Sequence, residues 1–231
     1  MTTTNELKRL AGEYAVNYIQ SGMIVGLGAG TTAIWAIRRI AKLIKNKDLN
    51  DIRCVPCSLH VEAQARGLNI PLVSLEEYPQ VDLTIDGADE VSPSLDLIKG
   101  GGGALLREKI VAQASKQEII VVDESKMSSA LGMHHSVPVE VFPFGWKSQA
   151  EYLKSLGADI TIRQNSNGSV CLSDQGNVII DCNFGSIKCP RDLATRITIR
   201  AGIIEHGLFI GLTDKVVVSG KTGIQVLTKD S

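Results

Sequence analysis

The stretch MIVGLGAGTTAIWAIRRIAKLIK, residues 23–45, changes from the pattern of a buried strand to that of a helix within a few positions. Its first residues, 23–27, form a short apolar run, and the glycine-containing residues 28–30 predict a turn. From residue 32 to residue 45 the apolar side chains recur every three or four positions, as on one face of an amphipathic helix. The stretch therefore predicts a strand, a tight loop and a helix in succession.

The same alternation continues to about residue 131 and decides the predicted fold class. A helix over 5–19 precedes the first strand. The later strands are expected over 52–55, 70–73, 81–85 and 118–122, and the later helices over 59–66 and 104–115. This alternation predicts an α/β fold with a Rossmann-like, mostly parallel sheet and helices on both of its faces. Ligands of such sheets bind at the carboxyl ends of the strands.

After residue 131 the pattern changes and indicates a second, smaller α+β domain. Its expected elements are strands over 137–141, near 160 and over 178–181, and helices over 148–156 and 191–198. Two last strands, 215–219 and 223–227, are expected to rejoin the first sheet. We therefore predict a Rossmann-like domain formed by residues 1–131 and 207–231, and a smaller α+β domain formed by residues 132–206.

The composition favours a small solute as the binding partner. The 231 residues include 24 basic and 25 acidic side chains, and the net charge of -1 gives no reason to expect a nucleic acid or an anionic membrane. The first 20 residues carry charges among their apolar positions, which is typical of neither a signal peptide nor a membrane span. We therefore expect a cytoplasmic protein.

The five cysteines, an odd and scattered number, are typical of reduced thiols and not of a disulfide framework. Cys54 and Cys57 form a CxxC pattern, for which a redox role stays open. A zinc site would need two further ligands at close spacing, and the sequence does not supply them. Small buried residues at the end of a strand are the simpler interpretation.

Three segments rich in glycine or carboxylate are interpreted as lying at strand ends of the first domain: GLGAGTTA at 26–33, DGADE at 86–90 and KGGGG at 99–103. The glycines of the first bring backbone N–H groups close to a ligand, and the helix N-terminus that follows favours an anion such as phosphate. A plain strand-to-helix turn explains the segment equally well. A dinucleotide site fits the glycine spacing, but the next strand ends without an acidic residue for a ribose hydroxyl.

The DGADE segment places Asp86, Asp89 and Glu90 within five residues, directly after an apolar strand. Clustered carboxylates raise one another's proton affinity and suit acid–base chemistry or metal binding. An Asp-Gly turn with a solvated face is the alternative. Because no histidine lies nearby in the sequence, we expect no metal.

In KGGGGALLREK, residues 99–109, four glycines lie between Lys99 and the helix that carries Glu108. A helix that begins near residue 102 would place Glu108 about one and a half turns from its start, on the side of Leu105 and Ala112. A partly buried glutamate has a raised pKa and can act as a general base near neutral pH. Taken alone, Arg107, Glu108 and Lys109 fit a solvated helix face better than a catalytic site. Beside the four glycines and the DGADE segment, the interpretation of Glu108 as a general base is favoured.

In this order, the segments GLGAGTTA, IDGADEV, IKGGGGALLREKIVA, VVDESK and VPVEVFP resemble the A-type ribose-5-phosphate isomerase family. The resemblance covers nearly the whole chain and includes NVIID at 177–181 and HGLFIG at 206–211. It implies an isomerase that interconverts ribose 5-phosphate and ribulose 5-phosphate through an ene-diolate, without a metal or an organic cofactor. It also suggests a homodimer or a homotetramer made of two dimers.

By this resemblance, Glu108 is the base that moves a proton between C1 and C2 of the sugar. Asp86, Asp89 and Lys99 contact sugar hydroxyls, assist ring opening and stabilise the developing oxyanion. The other substrate-binding residues that the resemblance implies are Ala29, Gly30, Thr31, Thr32, Gly87, Ala88, Gly100, Gly101, Gly102 and, near the phosphate, Lys126. Many family members have Thr-Gly-Ser-Thr at the first glycine loop, so the hydroxyl that Ala29 lacks predicts a modest effect on affinity.

Two alternatives stay open at this point. A non-catalytic sugar-phosphate sensor domain has a related sheet architecture, but such a protein usually carries a DNA-binding helix pair, and one helix alone is predicted before the first glycine loop. A nicotinamide-dependent enzyme is weakened by the missing acidic residue noted above.

Overall fold

The computed structural model describes residues 3–229, which fold as two compact units. The first unit comprises the residues up to Ala88, Arg107–Lys126 and the residues from Leu212 on, and the second comprises Asp89–Leu106 and Met127–Gly211. The sequence-based division placed residues 89–106, 127–131 and 207–211 in the first domain instead. The two domains with boundaries at 131/132 and 206/207 stay a prediction.

Six helices and thirteen strands are described in residues 3–229. The helices are α1 (Thr4–Ala15), α2 (Ala33–Asn46), α3 (Leu59–Gly67), α4 (Leu105–Ala114), α5 (Trp146–Ser155) and α6 (Pro190–Thr198). The strands are β1 (Ile24–Leu27), β2 (Arg53–Pro56), β3 (Leu83–Asp86), β4 (Glu90–Val91), β5 (Leu97–Ile98), β6 (Glu118–Asp123), β7 (Val137–Val141), β8 (Asp159–Ile162), β9 (Val178–Asn183), β10 (Ile203–His206), β11 (Leu208–Phe209), β12 (Lys215–Gly220) and β13 (Gly223–Thr228). Two short 3-10 helices cover Val16–Tyr18 and Glu124–Lys126. None of these helices is long and apolar enough to cross a membrane.

The first unit is built on a six-stranded sheet in the order β13-β12-β6-β3-β1-β2. Five of its strands run parallel, and β13 alone pairs antiparallel, with β12. The predicted α/β class and mostly parallel sheet are therefore confirmed, as is the return of the last two strands to this sheet. The helix α2 buries Ala33, Ala36, Ile37 and Ile40. Of the residues that the pattern places inward, Ile37 and Ile40 are thus buried, whereas Ile34, Ala41 and Ile44 are partly buried against the same core.

The strand predicted over residues 70–73 is wrong. Leu72 forms a single bridge to Cys54 on β2, flanked by one hydrogen bond from Cys54 to the Pro71 carbonyl and one from Val73 to the Cys54 carbonyl. Pro71 has no backbone N–H and cannot donate to a strand ladder, which limits the pairing at this edge of the sheet.

In the second unit, a four-stranded antiparallel sheet in the order β10-β7-β9-β8 forms the centre. The helix α5 packs on β8 and β9, and α6 packs on β10, which gives the smaller α+β architecture predicted from the sequence. A three-stranded antiparallel sheet, β11-β5-β4, belongs to the same unit. Its strands were not predicted because two residues are too few to show a periodic pattern.

Buried carboxylates stabilise the second unit through hydrogen bonds. Glu90, on β4, accepts hydrogen bonds from the backbone N–H groups of four consecutive residues, 132–135, at 3.1 to 3.3 Å. Glu140, on β7, accepts from the Ser173 hydroxyl at 2.6 Å and the Asn177 amide at 2.8 Å. Both groups are fully buried, and the donors compensate for lost water at both oxygens of Glu90 and at Oε1 of Glu140.

We expect Asp82→Asn to destabilise the first unit more at neutral pH than at low pH. The Asp82 carboxylate accepts from the Lys116 ammonium at 2.7 Å and from the Ile24 N–H at 2.8 Å, and these hydrogen bonds, that of Lys116 first, lower its pKa. A lowered folded-state pKa stabilises the fold above the unfolded-state value, about 3.9, and this contribution is lost as the pH falls through the folded-state value. Because Asp82 is partly exposed, the loss of unfolding free energy at pH 7 should be about 0.5 to 1 kcal/mol.

Urea unfolding of the variant and the parent protein at pH 7 and at pH 3 checks this expectation. Asp48→Asn, at an exposed position of the same unit, is the control and should leave the unfolding free energy unchanged at both pH values. An equal loss for Asp82→Asn at the two pH values would contradict the electrostatic explanation.

Candidate active site

The first glycine loop lies against the end of the neighbouring strand β3. A Cβ atom on Gly28 would overlap the Asp86 side chain, so only glycine permits this approach. The Asp86 carboxylate accepts hydrogen bonds from the N–H groups of Ala29, at 2.9 Å, and of Gly87, at 2.7 Å. Within the first unit, the GLGAGTTA segment and the start of the DGADE segment are thus brought together, as their positions after strands predict.

The same loop has the features of an anion-binding turn. Gly30 adopts a positive φ of 106°, and α2 begins directly after Thr32, so the N-terminal end of the helix lies at the loop. The Lys8 ammonium, on α1, donates to the Thr31 hydroxyl at 2.9 Å. The sequence reasoning missed Lys8, because nothing local in a helix 23 residues earlier indicates this contact.

Glu108 is buried, with 5% of its surface exposed, which agrees with the predicted inward direction and not with a solvated helix face. The helix α4 spans Leu105–Ala114, within one residue of the helix predicted over 104–115. Glu108 therefore lies in its first turn, and not about one and a half turns from the start, where a helix that began near residue 102 would place it. The later start follows from the backbone of Gly103, whose φ of 85° is left-handed and incompatible with an α-helix.

Glu108 lies close to two other buried side chains of the first unit, those of Asp86 and Cys57. One carboxylate oxygen of Glu108, one of Asp86 and the Sγ atom of Cys57 all lie within 4.8 Å of one another. We call these three residues the carboxylate–thiol cluster. Such groups can ligate a metal, but they also suit proton transfer, because the adjoining carboxylates influence each other's proton affinity. The sequence did not connect Cys57 with either carboxylate, and the expectation of no metal stays a prediction.

In the second unit, the quadruple-glycine loop is held by Asp89. The Asp89 carboxylate accepts from the Gly101 N–H at 2.7 Å, and a Cβ atom on Gly101 would lie 2.7 Å from the same carboxylate. Gly100 and Gly103 both adopt positive φ values. Arg163, on the segment that follows β8, donates to the carbonyls of Gly100 and Gly101 at 2.9 and 3.1 Å and pairs with Asp181. No pattern in the sequence indicates these contacts of Arg163.

Lys99 is nearly fully buried in the second unit, with 2% of its surface exposed. Its backbone N–H donates to the Gly207 carbonyl at 2.9 Å, and its ammonium lies 5.4 Å from the centre of the Phe209 ring, a cation–π distance. A buried lysine of this kind is a group that proteins retain for function more often than for stability.

Three other residues predicted to bind substrate, Ala88, Gly102 and Lys126, lie outside the α-helices and strands. Ala88 ends the chain segment that belongs to the first unit, directly before Asp89. Gly102 has no neighbour within 4 Å of a Cβ position. Lys126 ends the short 3-10 helix that follows β6.

Comparison with known proteins gives the same family from sequence and from structure. Residues 53–223 match the family described as ribose 5-phosphate isomerase A (phosphoriboisomerase A). The ribose-5-phosphate isomerase A of Desulfatibacillum aliphaticivorans is 52% identical over 225 residues, which cover 97% of this chain and 98% of the relative. That of Chloroflexus aurantiacus is 49% identical over 227 residues, which cover 98% and 95%.

Solved structures agree over the full length. Ribose 5-phosphate isomerase from Plasmodium falciparum has a TM-score of 0.95 at 39% identity, covering 98% of this chain and all of the other. A D-ribose-5-phosphate isomerase in complex with phospho-erythronic acid also has a TM-score of 0.95, at 35% identity, covering 98% and 99%. From its motifs, its fold and these matches, the chain belongs to the ribose 5-phosphate isomerase A family.

Proposed function

We propose that this chain interconverts D-ribose 5-phosphate and D-ribulose 5-phosphate, a step of the non-oxidative pentose phosphate pathway. The observation that carries the proposal is the buried Glu108 carboxylate beside Asp86 at the carboxyl end of β3, in a chain of this family. Proton transfer next to a carbonyl group needs one positioned base and donors for the oxygen on which charge develops. The phospho-erythronic acid bound by a solved relative supports a sugar phosphate as the substrate class.

The proposed reaction starts from the open-chain sugar, with an aldehyde at C1 and a hydroxyl at C2. Glu108 removes the proton from C2, the electrons of that bond form the C1=C2 double bond, and the carbonyl electrons move to O1. Glu108 then returns the proton to C1, O2 gives up its proton and becomes the ketone oxygen, and O1 takes up a proton. The isomerisation needs no oxidant or reductant, and we expect it to need no cofactor and no metal.

The remaining predicted residues have binding and electrostatic roles in this proposal. The Lys99 ammonium stabilises the oxyanion of the ene-diolate, and Asp86 and Asp89 contact the sugar hydroxyls and assist ring opening. The glycine residues at 30, 87 and 100–102, with Ala29 and Ala88, bring backbone groups to the substrate. For the phosphate we propose Thr31, Thr32 and Lys126, and we add Lys8 because of its contact with Thr31.

The first experiment is the conversion of ribose 5-phosphate by the purified protein, with EDTA present and no cofactor added. We expect rapid, EDTA-resistant formation of ribulose 5-phosphate. Bound ribose 5-phosphate without conversion would support the alternative, a sugar-phosphate sensor domain, and would refute the isomerase.

Glu108→Gln provides the matched test of the base in the same assay. Because the amide keeps the shape of the side chain but cannot take up the proton, kcat should fall by about 10³-fold or more while substrate binding stays largely intact. Glu62→Gln, in a partly exposed ion pair with Arg66 on α3, is the control and should retain full activity. Full activity in Glu108→Gln would exclude this residue as the base.

Lys99→Ala should lower kcat more than it raises KM. The ammonium in our proposal acts mainly on charge that develops in the transition state, so its removal leaves ground-state binding less affected. Steady-state kinetics in both directions measure the two constants. A defect confined to KM would assign Lys99 to substrate binding alone.

We also propose that the protein is cytoplasmic and assembles as a homodimer, or as a homotetramer of two dimers. Exposed apolar side chains of the second unit support an association surface: Phe144 is 87% exposed, Ile199 is 75% exposed, and Phe142 is 52% exposed. Light scattering should give twice or four times the 24.8 kDa of the chain, and Phe144→Glu should weaken the assembly. The mass of a monomer for the parent protein at micromolar concentration would refute the proposal.

A further inference from the structure

The thiol of Cys57 has no role in the reaction as described so far, although it lies in the carboxylate–thiol cluster. Its Sγ atom, a carboxylate oxygen of Asp86 and one of Glu108 lie within 4.8 Å of one another, and all three residues are buried. An apolar side chain of similar size could fill the space that Cys57 occupies. Unlike such a side chain, a thiol also places a weak S–H donor beside the two buried carboxylates.

The local backbone fixes the position of Cys57. Residue 57 follows the last residue of β2, and its N–H donates to the Leu27 carbonyl, at the end of β1, at 3.0 Å. The next residue, Ser58, caps α3 by accepting a hydrogen bond from the Val61 N–H at 3.0 Å. A strand end on one side and a helix cap on the other fix the backbone at residue 57, and the full burial of Cys57 restricts its rotamers, so the thiol has a defined position beside the two carboxylates.

A thiol is a weak hydrogen-bond donor, whereas an ionised carboxylate only accepts. A donor beside a carboxylate favours one orientation of its oxygens and stabilises its charged form. Asp86, from β3, contributes the second carboxylate of the cluster, and Arg107 and Lys109 flank Glu108 in the sequence of α4. None of them is fixed between a strand end and a helix cap in this way.

We propose that Cys57 is a positioning residue, whose thiol donates to the carboxylates of the cluster and holds Glu108 in the orientation that its role as base requires. The catalytic part of this inference rests on the proposed function, because it takes Glu108 as the base. The contact between thiol and carboxylate is a property of the first unit alone.

The kinetic test compares Cys57→Ala with Cys57→Ser, since alanine and serine have similar volumes but only serine donates a hydrogen bond. Cys57→Ala should lower kcat by about tenfold, a fraction of what a general base contributes, and leave KM within about twofold. Cys57→Ser should recover most of the lost kcat. Cys54→Ala, at a fully buried cysteine three residues earlier on β2, is the control for the loss of a buried thiol and should stay within about twofold of the parent protein.

A second readout does not depend on the reaction. In protein with ¹³C-labelled glutamate carboxyl groups, the Glu108 resonance is assigned by its absence in Glu108→Gln. Losing a donor disfavours the charged carboxylate, so the titration midpoint of this resonance should move to higher pH in Cys57→Ala. In Cys57→Ser it should lie at or below the parent midpoint, and in Cys54→Ala it should not move.

Each outcome decides the proposal. An unchanged Glu108 titration in Cys57→Ala, or equal kinetic defects in Cys57→Ala and Cys57→Ser, would overturn it and leave Cys57 as a packing residue. If the parent protein does not convert ribose 5-phosphate, the proposed function fails, whereas the carboxyl titration still confirms or refutes the contact of Cys57 with Glu108. If Cys57→Ala does not fold, the comparison of the parent with Cys57→Ser carries the test, and a higher midpoint in Cys57→Ser would refute the proposal.

Discussion

The first unit depends on a steric constraint between two neighbouring parallel strands. The space that side chains at Gly26 and Gly28 would occupy is filled by Thr84 and Asp86 of β3. Because β1 and the loop after it carry no side chain there, the Asp86 carboxylate reaches the Ala29 N–H of the glycine loop, and it also accepts from the N–H of its own neighbour Gly87. Any larger residue at position 28 would displace Asp86, the loop before α2 and the neighbours of Glu108 together.

Burial of a charged group does not by itself identify function in this chain, because the structure uses buried carboxylates in two ways. Glu90 follows Asp86 and Asp89 within one motif, yet its carboxylate accepts four backbone N–H groups and holds the loop at 132–135. Such saturation suits a structural anchor, since both oxygens of the carboxylate have backbone donors. Asp86 and Glu108 instead lie with a third titratable group, Cys57, which is the arrangement expected where protons move.

Sequence reasoning succeeded where the signal was local. The long strands and helices of the first unit follow from patterns of five to fifteen residues, and the glycine and carboxylate motifs follow directly from strand ends. It failed where one residue changes the backbone, as with Pro71 in the strand expected at 70–73. It also placed Glu108 too far into α4, because the backbone of Gly103 excludes a helix that begins near residue 102. The contacts of Lys8, Cys57 and Arg163 could not be predicted, because each joins elements far apart in the chain and leaves no pattern in its own segment.

The four consecutive glycines show how packing and function divide a single motif. Gly100 and Gly103 need left-handed backbone conformations, and Gly101 lies too close to the Asp89 carboxylate for a side chain. Gly102 has neither feature: it is not among the glycines with positive φ, and no atom lies within 4 Å of its Cβ position. The fold therefore explains three of the glycines. The fourth is explained by the proposed function, in which the backbone at Gly102 must approach the sugar more closely than any side chain would allow.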